Sequence, residues 1–595
     1  MIEVKEKIIK NLQSIVKEMG VEIQDIVVQE PIDITHGDLT SNIAMQLSKT
    51  LKSNSMDIAT KIVSVFPKDE DIERVEVVKP GFLNFFLSNE YLLNILKSIN
   101  TQKERYFELD IKKGKKYVIE YTDPNPFKTL HIGHLYTNIV GESFARLVEA
   151  LGASVTRANY QGDVGLHVAK TMWGLLRMFE NDGINFEDLK GKTLVERVRY
   201  LGEAYMLGFK MYDDQKDESV IKDVKDINYY IFSLYIHSLE KKEYFKDLES
   251  KNLKNIYFEG RDWCLEYFER IYERTGTKFD KYYLESEMGE KGMEIVNGNM
   301  DGKGKNIFRG SDGAVVYEGD ESKGLHTRVF INSEGLPTYE AKELALAFKK
   351  FEQLSFDESV VITADEQSSY FRVVLDALSQ LRPEIANIYK HFAHGLVMLP
   401  GAEKMSSRKG KILEGEWLLD ETKKRVEDMM RSNEKWSEEQ IKQVSDLIAV
   451  ASIKYSFLKV TVGKDVIFDF EKATSFDGDT GPYLLYVYAR CNSILENGKS
   501  QISLESRTEM DDSTKELLRV IGRYSPILLS SALAYSPSTL CSYLFDLGQT
   551  FNTFYTNVRV LDSENKEFLL GVVNATAQTM KHGLDVLGIK VVERM

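Results

Sequence analysis

His131-Ile132-Gly133-His134 sets two imidazoles three residues apart. The stretch follows a proline-rich loop, Asp123-Pro124-Asn125-Pro126, and opens a helical pattern with Leu135, Ile139, Val140, Leu147, Val148 and Leu151 apolar and Gly152 as its stop. A helix N-terminus offers unpaired N–H groups and the positive end of the helix dipole, so it draws anions. Side chains at i and i+3 share one side of the first turn and can donate to the same phosphate. Gly133 has no Cβ, so a flat ring can come close to the backbone there. Together these features predict a seat for a nucleoside triphosphate that works without a G-x-G-x-x-G loop. Two other readings share the spacing. One is a metal site, which the positive dipole end opposes and no neighbouring carboxylate completes; the other is a pair of structural histidines. The motif alone is too short to choose.

Lys404-Met405-Ser406-Ser407-Arg408-Lys409-Gly410, preceded by Pro400-Gly401, is a second group with chemistry. Glycines at both ends allow movement, and Lys404, Ser406, Ser407 and Arg408 all present donors or positive charge to phosphate oxygens. Such a loop can close over a triphosphate and stabilise charge moving onto pyrophosphate. Standing alone, it reads as solvated surface.

The elements that must position these groups can be read from periodicity. Tyr117 to Tyr121 is strand-like, as is Ser154 to Asn159, and the helix lies between them. Strand, loop, helix, strand is one parallel crossover unit of a doubly wound, Rossmann-type α/β sheet. Sheet-like runs return at Ala314–Tyr317, Arg328–Ile331 and Ser359–Ile362. Before residue 110, an amphipathic helix over 2–18 and a strand at Phe82–Leu87 predict a small α+β domain. A lysine-rich linker (Lys112, Lys113, Lys115, Lys116) follows. The expected organisation is an α+β N-terminal domain over 1–110 and a catalytic domain over 111–415, with a mostly helical insertion at about 170–300. An all-α domain over 416–595 completes it.

Composition bounds the partners. With 43% hydrophobic and 28% charged residues, the 595-residue chain has the make-up of a soluble globular protein. No apolar run is long enough for a membrane span and the N-terminus lacks a signal-peptide core, so a cytoplasmic location is expected. Cys264, Cys491 and Cys541 lie far apart, which argues against a disulfide framework or a structural zinc site. A net charge of −15 counts against broad phosphate binding but leaves room for local basic strips.

His-Ile-Gly-His early in such a fold, with Lys-Met-Ser-Ser-Arg near its end, resembles the class I aminoacyl-tRNA synthetases. Flanking segments narrow the resemblance to the arginine-specific family. They are Glu120 to Lys128, Asn159 to His167, Gly481 to Arg490, Phe551 to Tyr555, Arg559-Val560-Leu561, Glu593-Arg594-Met595, and, near the start, His36 to Asn42 and Lys79 to Phe85. The resemblance implies ATP as substrate with Mg²⁺, and L-arginine and its tRNA as partners, in a chain expected to act as a monomer. In that family arginine activation usually needs tRNA bound first.

Residue by residue, the resemblance implies that His131, His134 and Lys404 are catalytic. Asn125, Gly133, Gln367, Ser406, Ser407 and Arg408 would handle ATP. Glu120, Asn125, Tyr339 and Glu343 would face arginine, and Tyr483, Tyr486, Tyr488, Asn552 and Tyr555 would contact tRNA. Many relatives have Thr-Arg-Asp where this chain has Ala341-Lys342-Glu343, a carboxylate one methylene longer. A site of carboxylates suits a planar guanidinium, and rejects side chains that leave buried acceptors unpaired by roughly 10⁴–10⁵. A smaller nucleotidyltransferase would leave both flanking domains unexplained, and a catalytically dead tRNA-binding paralogue would have no need of His131, His134 and Lys404.

Overall fold

Short β-branched runs alternating with helix-period runs build the central part of the chain. In the computed structural model, which describes all residues except 24, 32–35, 402–412, 433–435, 499–501 and 505–509, the chain forms two compact units. One spans Asp110–Thr474; the other joins Met1–Leu109 to Ser475–Met595.

The 110–474 unit is organised on a five-stranded parallel sheet: β1 (Lys116–Glu120), β2 (Ser154–Gln161), β3 (Lys281–Leu284), β4 (Glu358–Ala364) and β5 (Tyr389–His394), in the spatial order β5-β4-β1-β2-β3. Tyr117, Val118 and Ile119 of β1 are all buried, as a central strand covered on both faces requires. Helix α1 (Ile132–Glu149) makes the crossover from β1 to β2. The chain runs outward from β1 through β2 to β3, then returns to place β4 on the other side of β1. The carboxyl ends of β1 and β4 therefore flank a topological switch point, where open α/β sheets bind ligands.

Three expectations change. The 170–300 segment is mostly helical, but between the helices ending at Thr275 and starting at Gly289 it supplies β3, the edge strand of the nucleotide sheet, because Ala158–Gln161 offers a free parallel edge to Lys281–Leu284. The run at 314–317 pairs with both 328–331 and Phe308–Ser311 in a separate antiparallel sheet and does not join the central one. The helices Gly415–Arg431 and Glu438–Leu458, expected in the C-terminal domain, belong to the central unit. Tyr136 on α1 meets Phe457 edge-on at 5.1 Å, and Arg274 forks to Asp420 at 2.6 Å and Asp446 at 2.8 Å.

In the other unit the N-terminal helix runs Ile2–Glu18, with Val4, Ile8, Leu12, Ile15 and Val16 buried. A four-stranded antiparallel sheet includes Phe82–Leu87. These residues are not a free-standing domain, because they share a core with the C-terminal helices. Phe107 stacks on His582 at 4.8 Å, Arg519 meets buried Asp38 at 3.2 Å, and Asn100 bonds Asn574 and the Gly571 carbonyl. Three helices matter below: α5 (Gly481–Gly498), α6 (Pro537–Asn557) and α7 (Lys566–Val586), with α5 packed on both others.

Candidate active site

The loop between β1 and α1 is held in a conformation that ordinary residues resist. Thr122, Asp123 and Phe127 all have positive φ, at 77°, 42° and 68°. Such backbone costs on the order of 1–3 kcal/mol per residue and persists only when its surroundings over-determine it. Here the Tyr160 N–H donates to Asp123 at 2.8 Å, Asn138 donates to the Thr122 hydroxyl at 3.0 Å, and Asn159 donates to the Tyr121 carbonyl at 3.0 Å. Helix α2 (Leu253–Thr275), inside the insertion, holds the far end: the Phe127 N–H donates to Cys264 Sγ at 3.2 Å, and the Phe127 ring stacks on Tyr257. The insertion thus shapes the site. Cys264, Cys491 and Cys541 are all buried.

At the start of α1, His131 caps the helix with its own ring. Nδ1 accepts from the N–H groups of Gly133 at 3.1 Å and His134 at 3.4 Å, which leaves Nε2 to carry the proton. The two rings stack with centroids 3.7 Å apart. A Cβ on Gly133 would stand 2.9 Å from the His131 ring, so the glycine makes room for the histidine as well as for a ligand. Burial, reinforced by Lys128, pushes His131 down to about 4; His134 is pushed well below its ordinary value by burial and then by His131. Both imidazoles are neutral donors at physiological pH. Lys128 itself is pushed down to about 8 by burial and by Lys170.

Glu120, Asn125, His131, Gly133, His134, Tyr339, Glu343 and Gln367, scattered over almost 250 positions, line one cavity of about 290 Å³ at the carboxyl ends of β1 and β4. Helix α3 (Tyr339–Leu354) carries Tyr339 and Glu343 one turn apart. Gln367 ends the turn that leads β4 into α4 (Ser368–Leu381). Gly162 lets the Asn125 carboxamide close in, since a Cβ there would meet Asn125 Oδ1 at 2.5 Å. Tyr339 is 54% exposed, at the rim of the cavity. Lys404, Ser406, Ser407 and Arg408 lie outside the described residues.

One expectation needs correcting. Glu120 is not a free carboxylate awaiting a cation: it is 1% exposed, and its Oε2 accepts from Lys350 Nζ at 2.6 Å. Lys350, fully buried on α3, also donates to the Tyr389 hydroxyl at 2.6 Å, and Tyr389 donates to Glu343 Oε1 at 3.1 Å. Burial and the Glu120 charge push Glu343 up to about 8; burial and the same charge push Asp123 well above the carboxylate range. Glu285, next in line, pairs with Lys342 at 2.9 Å, while among the described residues neither its Oε2 nor the Tyr160 hydroxyl has a hydrogen-bond partner. Asp163, accepting from the Ser286 N–H and hydroxyl at 2.8 Å, holds the segment that carries Glu285.

Sequence reading missed Glu285, Lys342, Lys350, Tyr160 and Tyr389. Lys350 lies seven residues after Glu343, two turns along the same helix face, and that spacing was the available signal. A lysine there reads as a solvated charge until the helix is packed.

Among the residues expected to meet tRNA, burial separates two groups. Tyr483 and Tyr488 are buried, with hydroxyls bonded to Asn552 and Glu593, so they brace the helices and do not present a stacking surface. Tyr486, Asn552 and Tyr555 stay accessible around Arg490, which donates to the Tyr486 hydroxyl and Asn552 Oδ1 and lies over the rings of Tyr486 and Tyr555 at 4.6 and 5.1 Å. Among the described residues, no group of three or more His, Cys, Asp or Glu comes together to hold a metal ion, and no helix is long and apolar enough to cross a membrane.

The sheet, the histidine-capped helix and the cavity define a nucleotide-binding α/β enzyme of the class I aminoacyl-tRNA synthetase type. The family model for "tRNA synthetases class I (R), catalytic domain" matches residues 95–470; those for the arginyl-tRNA synthetase N-terminal domain and the DALR anticodon binding domain match 3–87 and 484–595. The arginine–tRNA ligase of Flavobacterium psychrophilum is 28% identical over 94% of each chain, and that of Clostridium botulinum 30% identical over 92% of each. The solved arginyl-tRNA synthetase of Thermus thermophilus has the same fold: TM-score 0.76 at 23% identity, covering 99% of this chain and 100% of that one. The chain belongs to the arginyl-tRNA synthetase family.

Proposed function

We infer that this chain ligates L-arginine to its cognate tRNA with ATP, through an arginyl-adenylate. The observation that carries the reading is one cavity with two unlike walls: neutral histidine donors at a helix N-terminus on one side, crowded buried carboxylates on the other. The first suits a triphosphate, the second a guanidinium. In the first step the arginine carboxylate attacks the α-phosphate in line and pyrophosphate leaves. In the second, a ribose hydroxyl of the tRNA's terminal adenosine attacks the activated carbonyl and AMP leaves.

The protein chiefly positions reactants and stabilises charge as it develops. His131 and His134 meet the phosphates, aided by Lys404, Ser406, Ser407 and Arg408. Gly133 and Gln367 flank the nucleotide, and Asn125 serves both substrates. Mg²⁺ enters with ATP, held by phosphate oxygens and water. Tyr486, Arg490, Asn552 and Tyr555 receive unpaired bases of the tRNA. The enzyme acts in the cytoplasm as a monomer. Aminoacylation with each of the twenty amino acids, using total tRNA, tests this reading: arginine alone should be charged, and charging of another amino acid, or of none, overturns it.

A further inference from the structure

Lys350 carries its charge inside the protein. It is fully buried on α3, and its ammonium sits 2.6 Å from both Glu120 Oε2 and the Tyr389 hydroxyl. Tyr389 in turn donates to Glu343 Oε1 at 3.1 Å. One oxygen of each carboxylate is therefore tied to a single Lys350–Tyr389 bracket. Both residues line the cavity, and among the described residues the other oxygens, Glu120 Oε1 and Glu343 Oε2, accept no hydrogen bond beyond that of the Tyr370 hydroxyl, 3.5 Å from Glu343 Oε2.

Two acceptors held apart suit a planar fork of N–H groups, which reaches both at once. A compact ammonium is a point charge and needs its acceptors to converge. Lys350 already fills the ammonium position beside Glu120 and reaches Glu343 only through the Tyr389 hydroxyl. A second ammonium brought there would meet a like charge in a dry site.

We propose that Lys350 is the specificity-determining residue that admits arginine and rejects lysine. It acts as a built-in ammonium that occupies the point-charge position and turns the remaining carboxylate oxygens outward for a guanidinium. The inference rests on the arginine reading above and names a discriminator within it. It also assigns a positioning role to Tyr389, which ties Glu343 to the bracket.

The test uses the full-length enzyme with its tRNA and compares arginine with lysine as substrates for charging. Lys350→Met should raise the arginine KM about tenfold or more, with kcat changed less than about threefold and the ATP KM constant. It should also narrow the ratio of kcat/KM for arginine over lysine by about tenfold or more, because a vacated point-charge position takes the lysine ammonium. An unchanged ratio, whatever happens to the arginine KM, overturns the proposal, since a merely structural lysine would not move it.

If Lys350→Met does not fold, Tyr389→Phe decides. It keeps the Lys350–Glu120 pair but frees Glu343 Oε1. The arginine KM should then rise about threefold to tenfold while lysine stays excluded; an unmoved arginine KM, or admission of lysine, overturns the proposal. Wild-type enzyme that fails to charge arginine would refute the functional reading itself, which keeps the two failures distinct.

Discussion

The cavity at the ends of β1 and β4 and the aromatic cluster on α5 and α6 both gather polar side chains, yet they satisfy them in opposite ways. In the cavity, Glu120, Asp123, Glu285 and Glu343 crowd together beside Lys342 and Lys350, and oxygens of Glu285 and Tyr160 have no partner among the described residues. On the helices, Arg490 donates to both Tyr486 and Asn552, and all three lie partly open to solvent. The first arrangement stores unmet demand for positive charge, which a small cation relieves only if its donors fall where the acceptors are. The second is already content, and offers flat faces with little to gain from any one donor pattern. Under the proposed roles, selectivity by unmet charge falls to the amino-acid site and tolerance with stacking to the tRNA site.

Breaking the buried pair should give the largest effect. Glu120→Gln leaves the Lys350 ammonium buried without its counter-charge, and should cost about 3–5 kcal/mol of unfolding free energy. Urea denaturation measures that loss, and the arginine KM should rise about a hundredfold alongside it. A stable variant with normal KM would mean the pair is solvated and the contrast between the two regions false.

The helical site should yield less. Tyr555→Ala removes an exposed ring, 44% accessible, beside Arg490. Base stacking on such a ring contributes about 1–3 kcal/mol, so the KM for tRNA should rise from about fivefold to a hundredfold while the arginine KM holds. Steady-state charging at varied tRNA checks this.

Glu343 gives a pH signature that the helical site lacks. With its carboxyl pushed up to about 8, it is protonated at lower pH, and a guanidinium must meet the ionised form. Arginine binding therefore releases a proton, and the arginine kcat/KM should climb with pH, by up to about tenfold per unit below 8, and level off above it. Titration calorimetry in two buffers of different ionisation enthalpy would count the proton. A profile flat from pH 6.5 to 8.5 would place the guanidinium elsewhere.

The smallest effect sharpens the division between the tyrosines. Tyr488→Phe removes a buried hydroxyl that donates to Glu593 and should cost only about 0.5–1.5 kcal/mol of stability. The KM for tRNA should not move, and a rise would return Tyr488 to the tRNA surface.

Much of this was legible along the chain, because periodicity and loop chemistry are local. The helix over 2–18, the strand at Phe82–Leu87, the β1–α1–β2 crossover and the paired histidines at a helix start follow from side-chain spacing, proline and glycine. Tertiary structure alone decided what those residues meet. The edge of β2 recruited β3 from what reads as a helical insertion, and α2 tied down the strained loop through Cys264 and Tyr257. Packing of α3 against β1 and β5 brought Lys350 to Glu120 across 230 residues. Charge pairing depends on distance in space and on burial, and neither is written in the order of the residues. The sequence names the carboxylates, but only the fold shows that one of them already holds a lysine.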